Sequence, residues 1–358
     1  MEALIPLMYI LLACMGIMYS CNLFEPASDY LGRNMAPGVK GALINAAGSS
    51  LPELFTTFIL LFYYTDMDGF TGGIATTAGS AVFNAVLIPA VVILAVTVYK
   101  LSTSSIQIDR KTLIRDGTFV IAAELLLIWF LGSSILTWHM GVALMSVYGC
   151  YFCYLMYQNS KMPEEDDDEE QLFANGFWKD LISALKGEDI GFQALWGDQI
   201  VGNTRAWIYL GISITLVGTF CHLLAEATVQ LATIWNIPLF ITTVVFAAAA
   251  TSVPDTVISV KDALKGNYDD AVANAVGSNI FDVCVSLGLP LTIYTLVIGP
   301  VTLAGGAEVQ ILRWVMLAFT IMVLGMFYRG NVGRKTGFTL LAMYAGWILY
   351  IGLQATGY

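Results

Sequence analysis

The sequence predicts an all-α membrane protein with ten transmembrane helices in two inverted five-helix repeats whose motif helices are broken. Three observations lead there: an apolar composition, an alternation of basic and non-basic connections, and two copies of one polar motif interrupted by proline. Of the 358 residues 57% are hydrophobic and 12% charged, and the mean hydropathy is +0.73. An average soluble domain carries roughly 25% charged residues, so this is the composition of a chain dissolved in lipid.

Windows long enough to cross a bilayer, about 20 residues as helix, fall near 3–24, 39–62, 70–97, 117–133, 137–157, 206–231, 236–260, 270–298, 307–328 and 336–355. The first begins "MEALIPLMYI", with Glu2 where a signal peptide has a basic n-region, and no cleavage-like site follows, so 3–24 reads as a true span. The fourth window is short. The second, third, seventh and eighth contain Gly, Pro and polar residues, which loosens their edges. The longest polar segment runs from about Gln158 to Arg205, leaving no room for a water-soluble domain beside the spans. The six cysteines, Cys14, Cys21, Cys150, Cys153, Cys221 and Cys284, lie in apolar stretches and read as small packing residues; Cys150 and Cys153 have CxxC spacing but lack a polar pocket.

Basic residues occupy alternate connections: Arg33 and Lys40; Lys100, Arg110, Lys111 and Arg115; Lys161, Lys179, Lys186 and Arg205; Lys261 and Lys265; Arg329, Arg334 and Lys335. The connections between them have none, and Arg313 sits inside the ninth span. The positive-inside rule puts the basic connections in the cytoplasm and both termini outside, in a multi-pass protein of the plasma (inner) membrane. The formal charge of −11 owes much to "PEEDDDEE", Pro163–Glu170, in the middle connection. A solvated linker is the plain reading of that run; a regulatory cation site is the alternative, though the spacing is not that of an EF-hand. The 16 basic residues are dispersed among short connections, which speaks against a nucleic-acid partner.

The acidic connection, 158–205, divides the chain into 1–157 and 206–358, with five spans in each part. "AAGSSLPELFT", Ala46–Thr56, answers "AAATSVPDTVI", Ala248–Ile258, pairing Ser49 with Thr251, Ser50 with Ser252, Pro52 with Pro254 and Glu53 with Asp255. "GSAVFN", Gly79–Asn84, answers "GSNIFD", Gly277–Asp282. This is an internal repeat. Homologous halves with an odd number of spans enter the membrane from opposite sides, so the repeats are inverted and their motifs meet near the midplane, as in secondary transporters.

Each part of the motif has a chemical reason. Pro52 and Pro254 donate no helical hydrogen bond, so carbonyls one turn earlier, near Gly48 and Ala250, lose partners. Glu53 and Asp255 bring negative charge to the same place, costly in a membrane unless matched. Calcium accepts six to eight hard oxygens, which these carboxylates, the hydroxyls of Ser49 and Thr251 and the freed carbonyls supply. The absence of His and Cys from the motif argues against zinc or copper. Ser80 and Asn84, four apart, share a helix face, as do Ser278 and Asp282, and close the cage. Asp282 adds a third acid, which calls for a proton or a monovalent companion ion. Glu124 and Glu226 are further intramembrane acids without a symmetric partner; helix–helix hydrogen bonding or interfacial placement competes with an accessory, proton-related role.

With both motif copies in order, "AAGSSLPELFTTF" with "GSAVFN" and "ATSVPDTVISV" with "NAVGSNIFD", the chain resembles the sodium/calcium exchangers of the cation/calcium antiporter superfamily over essentially its whole length. The resemblance implies sodium entering against calcium leaving by alternating access, with Glu53 and Asp255 as the shared central acids. It implies calcium ligation at Ser49 and Thr251, and sodium sites at Ser50, Ser252, Ser80, Ser278 and the carbonyls of Ala46 and Ala248. "GSNIFD" is similar to the potassium-dependent branch, whose members use the acid matching Asp282 to cotransport potassium; the residue alone leaves potassium dependence open. Ser49 stands where many members have Thr, Ala250 where many have Gly, and "TTAGS" lacks the Asn found at Asn274 in the second copy. The expected protein is a transporter and not an enzyme, needs no cofactor and functions as a monomer, with sodium and calcium ions and the lipid bilayer as partners. A proton-driven exchanger of calcium or another cation on the same scaffold is the alternative.

Overall fold

The computed structural model describes residues 2–31, 46–63, 67–99, 104–133, 135–159, 203–302 and 307–355. The acidic run Pro163–Glu170 and the basic residues Arg33, Lys40, Lys100, Lys161, Lys179 and Lys186 lie outside the described residues. In the first half, α1 (Leu4–Leu31) is followed by α2 (Ala46–Ser49) and α3 (Leu51–Tyr63), separated by a turn at Ser50. Next, α4 (Met67–Val82) passes through a π-helical turn, Phe83–Leu87, into α5 (Ile88–Leu94) and a second such turn, Ala95–Tyr99. Then come β1 (Ser105–Gln107), α6 (Arg110–Phe130), β2 (Ile135–Leu136) and α7 (Trp138–Asn159).

The second half repeats this order. After α8 (Asn203–Trp235), α9 (Leu239–Thr242) runs through the π-helical turn Thr243–Ala247 into α10 (Ala248–Thr251), and α11 (Val253–Lys265) follows the turn at Ser252. Then α12 (Tyr268–Phe281) crosses the π-helical turn Asp282–Ser286 into α13 (Gly288–Val297). β3 (Val301–Thr302), α14 (Ala307–Phe327), β4 (Asn331–Gly333) and α15 (Arg334–Ala355) complete it.

Local chemistry sets the boundaries. Pro254 occupies the first turn of α11, where its missing N–H costs nothing, and Gly266 ends that helix with φ 97°, a conformation that favours glycine. Asp109 caps α6, its carboxylate accepting from the Thr112 N–H at 3.1 Å, and that backbone bond holds the carboxyl below its ordinary range. The π-helical turns widen the ladder by one residue, as in the Leu287 N–H to Asp282 carbonyl bond of 3.1 Å. Such turns concentrate at functional sites, and two of them carry Asn84 and Asp282.

Among the described residues, eight helices are long and apolar enough to cross a membrane, and nine if the pair Leu239–Thr251 and Val253–Lys265, bent by 40°, is one span. The expected fourth span falls in α6, which is 21 residues long but carries Arg115, Asp116 and Glu124, so its charges keep it out of that set. The count that composition and length establish is therefore eight or nine, below the expected ten.

Packing separates an inner group from an outer one. The membrane-length window in Gly69–Tyr99 is 72% buried and that in Tyr268–Val297 67%, against 22% for both Trp138–Gln158 and Arg334–Gln354. The contacts are paired between halves: α3 lies on α4 as α11 lies on α12, α15 on α5 as α7 on α13, while α1 packs along α8 and α6 along α14. Leu4, Ile5, Met8, Leu11 and Leu12 on α1 are exposed, an outward apolar face suited to lipid.

The short strands report the same relation. β1 pairs antiparallel with β4, matching Ser105 to Gly333 and Gln107 to Asn331, and β2 pairs with β3, matching Ile135 to Thr302 and Leu136 to Val301. The segment between α5 and α6 thus meets the one between α14 and α15, and the segment between α6 and α7 meets the one between α13 and α14. The first pair is flanked by Arg110, Lys111, Arg334 and Lys335; the second has no basic flank among the described residues.

Candidate functional site

The two helix breaks meet in the interior. Ser49, Ser50, Glu53, Ser80, Asn84, Thr251, Ser252, Asp255, Ser278 and Asp282 are all buried, as are Ala46 and Ala248. The approach of the two halves depends on Gly79: a Cβ there would stand 2.9 Å from the Ala248 Cβ and 3.3 Å from the Val244 Cα. Nothing larger than hydrogen fits where α4 crosses the second broken helix.

Each acid is held by the serine of its own half. Ser80 Oγ lies 3.0 Å from Glu53 Oε1, and Ser278 Oγ lies 2.8 Å from Asp255 Oδ1. Contacts also cross between halves. Asn84 Nδ2 donates to Asp255 Oδ2 at 3.0 Å, Ser80 Oγ is 2.8 Å from Ser252 Oγ, and Ser80 Oγ is 2.9 Å from Asp282 Oδ2. The hydroxyls of Ser49 and Thr251 bear on the acids of the opposite halves, Asp255 and Glu53. The structure therefore brings together every sequence-predicted site residue.

Hydrogens are too few for these oxygens. Ser252 gives its hydrogen to the Ala248 carbonyl at 2.8 Å. Ser80 has one hydrogen, while Glu53 Oε1, Ser252 Oγ and Asp282 Oδ2 all lie within 3.0 Å of its oxygen. Where Asn84 presents an amide donor to Asp255, its counterpart Asp282 shares the Ser80 hydroxyl with Glu53. Glu53 Oε2, Asp282 Oδ1, Asn84 Oδ1 and Ser50 Oγ have no hydrogen-bond partner among the described residues. A buried acceptor without a donor is costly, and a cation or a proton supplies what is missing.

The donor set is all oxygen, which suits hard cations such as sodium and calcium. Among the described residues no three Asp, Glu, His or Cys side chains converge as ligands of one metal ion; Ser80 and Asn84 bridge the three acids. The carbonyls expected as sodium ligands are engaged within the helices: Ala46 O accepts from the Ser50 N–H at 3.1 Å and Ser49 Oγ at 3.3 Å, and Ala248 O accepts from the Ser252 N–H at 3.1 Å and Thr251 Oγ1 at 3.1 Å. Both lone pairs of each carbonyl are thus engaged, and ligation of a cation there requires a serine or threonine hydroxyl to turn away.

The sequence reading passed over Ser286 and Asn279, which tie the halves together. Ser286 Oγ reaches the Ser50 carbonyl at 3.4 Å and Asn279 Nδ2 the Ala81 carbonyl at 3.1 Å. Ser286 lies four residues after Asp282, so the same-face rule that paired Ser278 with Asp282 reaches it too. Of the remaining acids, Glu226 is exposed beside Gln230, whereas Glu124 is buried and accepts from Thr320 Oγ1 at 2.7 Å. All six cysteines are free; Cys21, Cys221 and Cys284 are buried as packing residues should be, but Cys150 and Cys153 are exposed on α7.

A family profile described as "Sodium/calcium exchanger protein" matches residues 5–157 and 205–353. The chain belongs to the sodium/calcium exchanger family. It is accordingly a membrane antiporter of that superfamily and not an enzyme. A putative antiporter, CaxA of Alkalimonas amylolytica, is 23% identical over 346 residues, 96% of this chain and 98% of that protein. Sodium/potassium/calcium exchanger 2 of Mus musculus is 34% identical over 136 residues, 37% of this chain but only 20% of the relative. Among solved structures, the H+/Ca2+ exchanger CAX aligns with TM-score 0.73 at 14% identity, covering 98% of this chain and 81% of that one. The sodium-calcium exchanger NCX_Mj aligns with TM-score 0.61 at 20% identity, covering 97% and 99%. At these identities the structural likeness shows the fold.

Asn84→Asp tests the bridging directly. Replacing the amide donor with a carboxyl sets like groups together and should cost about 2 kcal/mol, lowering the Tm of the purified protein in chelator by a few degrees. Calcium should restore much of the loss. Unfolding with the same Tm as the parent, with and without calcium, would count against the site.

Proposed function

We propose that this protein is a sodium-driven calcium antiporter working by alternating access. Residues 1–157 and 206–358 form two inverted repeats of five spans each, joined by the acidic 158–205 linker on the cytoplasmic side, with both termini outside, in the plasma (inner) membrane. The ten-span reading includes α6 as a span despite its charges, because α6 packs lengthwise on α14 and its ends carry β1 and β2, which join different ribbons. The strand pairing supports inversion: the connection after the third span of one half joins the connection after the fourth span of the other, in both directions. The protein acts as a monomer.

One observation carries the assignment of the ions. Glu53 and Asp255, both 0% exposed, come from symmetric helix breaks and are held by the equivalent serines Ser80 and Ser278. Two carboxylates in a dry interior each cost several kcal/mol unless neutralised, and a divalent cation with an oxygen cage matches them. Glu53, Asp255, Ser49 and Thr251 hold calcium in this reading. Ser50, Ser252, Ser80 and Ser278, with the carbonyls of Ala46 and Ala248, hold sodium when calcium has left, and Asn84 and Asp282 close the site. Either load matches the charge, so the loaded site can switch faces and the bare one is held back.

Glu53→Gln and Asp255→Asn should each lower calcium exchange at least a hundredfold while the protein still inserts and folds, measured as calcium flux in proteoliposomes at matched protein content. Flux within a few-fold of the parent in either variant would contradict the assignment.

A second reading, exchange driven by protons, draws on the Asp282 and Glu53 oxygens that share the one hydrogen of Ser80. Asp282 also separates potassium cotransport from simple exchange. Under potassium cotransport, Asp282→Asn abolishes potassium stimulation of sodium-driven calcium flux; if the carboxyl carries a proton throughout the cycle, the variant transports at nearly the parent rate. Flux assayed with and without potassium, at fixed membrane potential, distinguishes the two.

A further inference from the structure

Glu124 lies outside the ion site, on the face of α6 that packs against α14, with 0% exposure. Its Oε1 accepts from Thr320 Oγ1 at 2.7 Å and its Oε2 has no partner among the described residues. The elements packed on α6 bring other titratable or charged groups: Arg313 from α14, Tyr148 and Tyr151 from α7, Asp269 and Asp270 at the start of α12, and Asp282 and Cys284 from the π-helical turn. On its own helix the charges are Arg110, Lys111, Arg115 and Asp116. None of these bonds to Glu124. Arg313 donates to the Ile128 carbonyl at 2.9 Å, and Arg115 is spent on Asp116 and Gln158. A carboxyl group stands in the interior with no cation within ion-pair reach among the described residues.

Beside this pair is a cavity of about 20 Å³ lined by Asn84, Val120, Asn279, Thr320, Val323 and other apolar residues. That exceeds the roughly 10–15 Å³ a single water needs, and a buried water also needs two to four polar partners. Thr320, Asn84 and Asn279 are the polar residues of its lining. Thr320 Oγ1 bonds Glu124, while the amide oxygens of Asn84 and Asn279 have no partner among the described residues. Both amides are oriented by their donors, Asn84 Nδ2 to Asp255 and Asn279 Nδ2 to the Ala81 carbonyl, so their oxygens are the free ends. The cavity thus joins an ion-site residue, Asn84, to the hydroxyl that holds Glu124.

We propose that Glu124 is a second, proton-binding site, linked to the ion site through Thr320 and a water in this cavity. Proton uptake converts the carboxylate to a carboxylic acid and changes the charge of the Glu124–Thr320 pair from −1 to zero; the only co-reactant is a proton delivered by water. The hydrogen bond then reverses, Glu124 donating to Thr320 and Thr320 to the cavity water, and the water's hydrogens turn to the amide oxygens of Asn84 and Asn279. Loss of the negative charge weakens cation binding next to Asn84. Acid therefore lowers affinity for the transported cation through a group that does not touch it. The coupling to a calcium site rests on the function proposed above; the proton site itself does not.

The test has two arms, both on the purified full-length protein. Infrared difference spectra between acid and alkaline buffer should contain a protonated-carboxyl C=O band that disappears in Glu124→Gln and shifts in Thr320→Val. Calcium titrations across the same pH range should then show parent affinity rising about fivefold or more with pH, with the step reduced in Glu124→Gln and its alkaline affinity lowered toward the parent's acid value. A band unchanged in both variants would overturn the proton site, as would a Glu124→Gln protein whose affinity keeps the parent's full pH step. Glu124→Asp serves as a second variant should Glu124→Gln fold poorly, and should retain the band at a new position. If the band behaves as expected in a protein that does not exchange calcium, the proton site stands and the functional reading fails.

Discussion

A carboxylate buried in a membrane interior must be matched by positive charge or by hydrogen-bond donors, and this molecule is arranged around how that demand is met. Among the described residues, Glu53, Asp255 and Asp282 have no cationic side chain as a bonded partner; serine hydroxyls and one amide stand in place of a lysine or arginine. Hydroxyls give one hydrogen each and offer lone pairs in return, so the same residues that bridge acids through hydrogen bonds can turn their oxygens to a cation. A fixed ammonium or guanidinium would satisfy the acids permanently and leave nothing for a passing ion.

The rest of the fold follows from placing those oxygens in one spot. Prolines break two helices at equivalent positions, π-helical turns swing Asn84 and Asp282 inward, and Gly79 removes the side chain that would hold the halves apart. Peripheral helices shield the group from lipid, which is why the windows in Gly69–Tyr99 and Tyr268–Val297 are about two-thirds or more buried and those in Trp138–Gln158 and Arg334–Gln354 only 22%. The strand ribbons pin the ends of the bundle, one pairing at each type of connection.

Much of this was legible in the sequence because the repeat is local and chemically loud: Ser-x-Pro-Asp and Ser-Leu-Pro-Glu in apolar surroundings have few other uses. The ten candidate site residues with polar side chains are read from motif and four-residue spacing, and all of them are buried. What hydropathy could not resolve was α6, where Arg115 and Asp116 neutralise each other at 2.6 Å and Glu124 hides behind Thr320; averaged over a window, paired charges count the same as exposed ones. The strand ribbons were missed because pieces of two or three residues, such as Ile135–Leu136, carry no period. Bonds such as Ser286 to the Ser50 carbonyl link residues 236 positions apart, and only the packed halves bring them together.

The central claim, that the oxygen cage between the two breaks exchanges sodium for calcium, is tested most directly by calcium uptake into proteoliposomes of the purified protein. An outward sodium gradient and an outward proton gradient are imposed separately, with the membrane potential clamped and potassium present or absent on both sides. The expected result is calcium accumulation driven by the sodium gradient and abolished when that gradient is collapsed. Accumulation driven by the proton gradient alone, with no response to sodium, would contradict it.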